Sequence, residues 1–223
     1  MINAARGQRL LLPLLVVSVV LLWQSPVIYP LKLLVIFFHE MSHALMALVT
    51  GGRVYSMEVN RLQGGLVQSS GGSRFLILTA GYLGSLFWGA LIYLLALHSS
   101  RDRWIAALLG VVLLTITLLF VRNGFGVVFG LLSGVALLLL ARFGQPWLND
   151  LVLRLIGITS LLYVPLDIIS DTLLRSHLLS DARMLAEEFG GSTILWGILW
   201  LVISLIVIYW VLRSRQRIEL KSN

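Results

Sequence analysis

Not one of the 223 residues is cysteine. That absence excludes disulfides, thiolate metal sites and a cysteine nucleophile. It leaves histidine and carboxylate as the good zinc ligands. Charge is scarce too. Asp, Glu, Lys and Arg make up 12% of the chain, against roughly 25% in soluble domains. There are 10 acidic residues and 4 histidines, so each one inside an apolar stretch asks for a reason.

What is abundant is apolar side chain. Hydrophobic residues reach 58% and the mean hydropathy is +0.94. The expectation is an integral membrane protein in contact with the lipid bilayer, one domain over residues 1–223. Apolar runs span Leu10–Tyr29, Leu31–Val49, Phe75–Leu97, Trp104–Val121, Phe125–Ala141, Leu151–Ile169 and Ile194–Leu212. At ~20 residues per span they predict an all-α, polytopic transmembrane bundle of six or seven spans.

Arg6 and Arg9 before the first run, with no A-x-A pattern after it, suggest an uncleaved signal anchor. Seven spans would set the two basic termini on opposite faces, and six would set both on one. The pair of runs around Arg122-Asn123-Gly124 is the first suspect for a half-length or re-entrant segment. The net charge of +7 is scattered over loops and termini, with one cluster at Arg213, Arg215 and Arg217. It fits headgroup contacts and orientation signals, and no nucleic-acid partner is expected.

Two separators are long. Gly51 to Arg74 contains three glycine pairs that bound short part-apolar runs, which suggests a small hairpin at the membrane surface. Ser170 to Ser192 holds a helix start at Ser180-Asp181 and a stop at Gly190-Gly191, hence a short interfacial helix. Gly81, Ser85 and Gly89, and likewise Gly126, Gly130 and Gly134, fall four apart. That spacing lets transmembrane helices approach closely.

His39-Glu40-Met41-Ser42-His43 lies inside the second run. On a helix, residues four apart share a face. Both imidazoles can then reach one zinc ion, Zn2+, with Glu40 beside them as a general base. Chance placement gives this pattern in about two chains per thousand of this composition. Three ionisable groups in a membrane stretch are costly without a function.

A hydrolytic zinc site needs a third protein ligand. Asp167 lies within the run Leu151–Ile169, and Asp171 follows four residues on. Asp167 is the first choice. Asp171 is the second, because Arg175 is a ready ion-pair partner for it. Arg154 or Lys32 could instead neutralise Asp167. His98 and His177 read as loop-edge histidines, and Asp181 as a first-turn acid favoured by the helix dipole.

The stretch Phe37-Phe38-His39-Glu40-Met41-Ser42-His43-Ala44, then Gly51-Gly52, then Ala80-Gly81-Tyr82-Leu83-Gly84-Ser85, resembles the site-2 protease clan of intramembrane zinc metalloproteases. Within it the chain is most similar to the small M50B-like branch, over most of its length. In that clan the third ligand is an Asp within an N-x-x-P-x-x-x-L-D-G pattern of a later span. Pro165-Leu166-Asp167 resembles its core, although no Asn precedes Pro165 in the run and Ile168 stands in place of the final Gly.

The resemblance implies a zinc metalloendopeptidase of regulated intramembrane proteolysis. It would cut a transmembrane protein or peptide substrate, with a bacterial cell membrane as the expected location. His39, His43 and Asp167 would hold the metal and Glu40 would be catalytic. Two alternatives stay open. One is an inactive protease-like protein that binds transmembrane segments. The other is a zinc or proton transporter, although no internal symmetry of the usual kind is visible.

Overall fold

The computed structural model describes residues 2–175 and 179–221, with side chains from 12 to 214. His177 and the side chains of Arg6, Arg9, Arg215 and Arg217 lie outside that description. The elements in order are α1 (Ile2–Leu21), α2 (Tyr29–Val49), β1 (Arg53–Val59), β2 (Gly65–Ser70), α3 (Arg74–His98), α4 (Asp102–Phe120), α5 (Gly124–Phe143) and α6 (Pro146–Ile169). A π-helical turn (Ser170–Leu174), α7 (Asp181–Phe189) and α8 (Thr193–Lys221) complete the chain.

Among the described residues, six helices are long and apolar enough to cross a membrane: α2, α3, α4, α5, α6 with the π-turn, and α8. The expectation of a half-length segment around Arg122 is corrected. The flanking helices α4 and α5 have 19 and 20 residues, or ~30 Å at 1.5 Å per residue. Of α1, the described apolar part is Leu12–Leu21.

Burial ranks the spans. In α2, 72% of the most apolar window is buried, against 22% in α5 and in α8. The motif helix is therefore the central one, and α5 and α8 turn most of their surface outward to lipid. Two apolar clusters flank it. One joins Phe37 and Met41 of α2 to Met57 and Val59 of β1 and Leu113 of α4. The other joins Leu78 and Tyr82 of α3 to Val164 of α6, Leu185 of α7 and Trp200 of α8.

Small residues allow the close approaches. A Cβ on Gly84 would collide with the Ser42 side chain of α2, and one on Gly130 with Thr117 of α4. Further along α3, Ser160 Oγ of α6 donates to Ser85 O at 2.8 Å. Gly89, where a Cβ would meet the Ser160 side chain, and Gly130 thus place both stripes at helix contacts, as their spacing predicts.

The glycine-bounded loop folds as the expected hairpin. Strands β1 and β2 pair antiparallel, with a bulge between Val54 and Ser56. The outer edge of β1 is not free. Asn123 Nδ2 donates to Val59 O at 2.7 Å, Val59 N donates to Asn123 Oδ1 at 3.2 Å, and Arg122 N donates to Met57 O at 3.1 Å. The α4–α5 connector, whose polar residues looked anomalous in sequence, clamps the hairpin to the bundle. That leaves the outer edge of β2 as the open one, a position that invites a further strand.

The interfacial helix also forms where its caps place it. Ser180 Oγ accepts from Arg183 N at the start of α7, and Gly190 and Gly191 adopt positive φ at its end. Its far end is tied to α3 by the Arg74–Glu188 pair at 3.1 Å and by the Phe75–Phe189 ring contact.

Candidate metal centre

The site grows from one helical turn of α2. His39 and His43 project from the same face, with ring centroids 4.7 Å apart. The His43 Nδ1–H donates to Ile77 O of α3 at 2.6 Å. That bond engages Nδ1 and leaves His43 Nε2 to face the cluster, the arrangement of a metal-ligating imidazole.

The third member comes from α7. Asp181 Oδ2 lies 3.0 Å from His39 Nε2 and 3.1 Å from His43 Nε2. One donor atom from each of these three residues falls within 4.8 Å of the other two. Burial alone would raise the Asp181 carboxyl. The two imidazoles, His43 foremost, outweigh it and hold the group below the usual carboxylate range.

Asp167 and Asp171 stand elsewhere. Asp167 lines the same cavity but lies outside the close group of donor atoms. Neither of its expected neutralising partners reaches it: Arg154 pairs with Asp150 at 2.6 Å, and Lys32 sits over the Trp23 ring. Asp171 is carried by the π-turn, accepts a hydrogen bond from Tyr82 Oη at 2.7 Å and pairs with Arg175 at 2.7 Å. His98 caps its own helix through Leu94 O. From the sequence, Asp181 reads as a helix-dipole acid in preference to a site residue. It does sit in the first turn of α7, and its side chain also reaches the two histidines.

A cavity of about 380 Å³ opens onto the three donors, Glu40 and the β2 edge. Two glycines shape it. A Cβ on Gly81 would collide with Nε2 of both His39 and His43, and a Cβ on Gly65 with the Glu40 carboxyl. Space is thus kept open in front of both imidazoles. Glu40 itself is 6% exposed and makes no hydrogen bond or ion pair with the described residues, so its carboxylate is free to take a proton.

Two imidazole nitrogens and one carboxylate oxygen, with room left beside them, form a donor set that suits catalytic zinc. The chain matches the family described as Peptidase M50B-like over residues 12–211. It belongs to that family. The membership accords with the resemblance to the site-2 protease clan and with the multi-pass helical architecture. No curated protein matches the chain, and no solved structure does.

Proposed function

We propose that this M50B-like chain is an intramembrane zinc metalloendopeptidase whose metal is held by His39, His43 and Asp181. The observation that carries the reading is the convergence of Asp181 Oδ2 on both Nε2 atoms, next to an unengaged Glu40. Zinc, when bound, supplies Lewis acidity toward a scissile carbonyl and toward water.

The chain's own residues supply the rest. Glu40 accepts the proton of the attacking water and hands it to the leaving nitrogen as the C–N bond breaks. Ile77 O holds His43 in the required tautomer. The substrate is a membrane-embedded segment, and its helical backbone must open locally before a peptide bond is reachable, since a spanning helix satisfies its polar groups internally. The opened segment then adds as a strand to the outer edge of β2, which lines the cavity at Gly65, Leu66 and Val67.

The test is purified protein in liposomes with a panel of transmembrane peptides, and fragments read by mass spectrometry. Chelator-sensitive cleavage is expected. Stoichiometric zinc without any cleavage would instead mark a family member that binds membrane segments without cutting them.

A further inference from the structure

The two histidines are oriented by different means. His43 has its hydrogen bond to Ile77 O, whereas among the described residues no hydrogen bond reaches His39 Nδ1. What His39 has is a ring contact. Tyr82 of α3 meets it edge-on, with centroids 4.9 Å apart and planes at 86°. That is a preferred geometry for paired rings.

Tyr82 is itself held on two further sides. Its hydroxyl donates to Asp171 Oδ2 at 2.7 Å, and Trp200 of α8 packs on its ring at 5.0 Å. Asp171 is fixed in turn by Arg175 on Oδ1. The π-turn takes part in this arrangement, since Asp171 and Arg175 belong to it and to its cap, where Arg175 N donates to Ser170 O. Single π-turns recur at functional sites.

We infer that Tyr82 and Asp171 are positioning residues for His39. Asp171 anchors the tyrosine hydroxyl, and the tyrosine ring holds the imidazole in its metal-facing orientation. This rests on the zinc reading above. It also gives a role to the second aspartate, four residues after Asp167: Asp171 serves the centre through Tyr82. A wholly structural Tyr82–Asp171 contact would affect folding and leave metal affinity alone.

The experiment is a zinc competition titration with a chromophoric chelator on full-length detergent-purified protein, with metal-free melting measured on the same samples. Tyr82→Phe keeps the ring and loses the anchor. It is expected to weaken zinc binding about 10- to 100-fold, the range for outer partners of metal ligands, and Asp171→Ala should do the same. Asp171→Asn keeps an acceptor for the tyrosine and should retain most of the affinity. Wild-type zinc affinity in Tyr82→Phe, or an Asp171→Asn variant no better than Asp171→Ala, overturns the inference and leaves the zinc site standing. A wild-type protein that binds no zinc overturns both.

Discussion

Asp181 Oδ2 and His39 Nε2 lie 3.0 Å apart although 142 positions separate them in the chain. The pair joins the central span to a helix that is not a span at all. With Asp181 as the proposed third ligand, the metal centre would be complete only when this short amphipathic helix is docked. The Arg74–Glu188 pair and the burial of Ala182 and Leu185 secure that docking. Asp181→Ala is therefore expected to lose bound zinc, while Asp167→Ala keeps about one zinc per chain. Elemental analysis of the two variants side by side decides between the carboxylates. Zinc loss in the Asp167 variant alone would return the ligand role to α6.

Gly81→Ala should abolish zinc binding with little change in helix content. The added methyl would occupy the space in front of both Nε2 atoms, while alanine suits a helix interior better than glycine. Circular dichroism and zinc analysis on the same sample separate the two effects. Wild-type zinc content in this variant would show that α3 does not close on the imidazoles as described.

Gly65→Ala should leave zinc in place and lower turnover. The new Cβ would push on the Glu40 carboxyl from the first residue of β2, displacing the base without touching a metal donor. A variant with less zinc but normal activity per bound metal would contradict this.

Asn123→Ala removes both hydrogen bonds that hold the end of β1. At about 1 kcal/mol for each net hydrogen bond, or more where a partner is left unsatisfied, the expected loss of stability is about 1–3 kcal/mol. Because the hairpin carries the open edge, the variant should raise KM more than it lowers kcat. Thermal melting and steady-state kinetics on a cleavable peptide check both parts.

Local patterns were legible in the sequence because their physics is local. The i, i+4 spacing of His39 and His43, the glycine pairs around the hairpin and the Ser180 and Gly190 signals at the ends of α7 each act within a few residues. Asp181 could not be found in this way. A first-turn acid already has a sufficient local explanation, and nothing in the spacing shows that α7 packs on α3 and α8 with Asp181 reaching the α2 histidines. The cost of burying a carboxylate in a membrane directed attention to Asp167 and Asp171 instead. For Asp171 the structure supplies other partners, Tyr82 and Arg175. The role of Arg122-Asn123-Gly124 was hidden for the same reason, since the strand it clamps lies 64 positions away.

In the proposed mechanism Glu40 moves the proton of a hydrolysis that His39, His43 and Asp181 support through zinc. The most direct test is Glu40→Gln, assayed with wild type in liposomes for zinc content and for cleavage of a transmembrane peptide. The substitution keeps the shape of the side chain and removes the base, leaving the three donors untouched. Unchanged zinc is expected, with a rate lower by about 10²- to 10⁴-fold, the usual contribution of a general base. Cleavage by Glu40→Gln at the wild-type rate, with zinc bound, would contradict that mechanism.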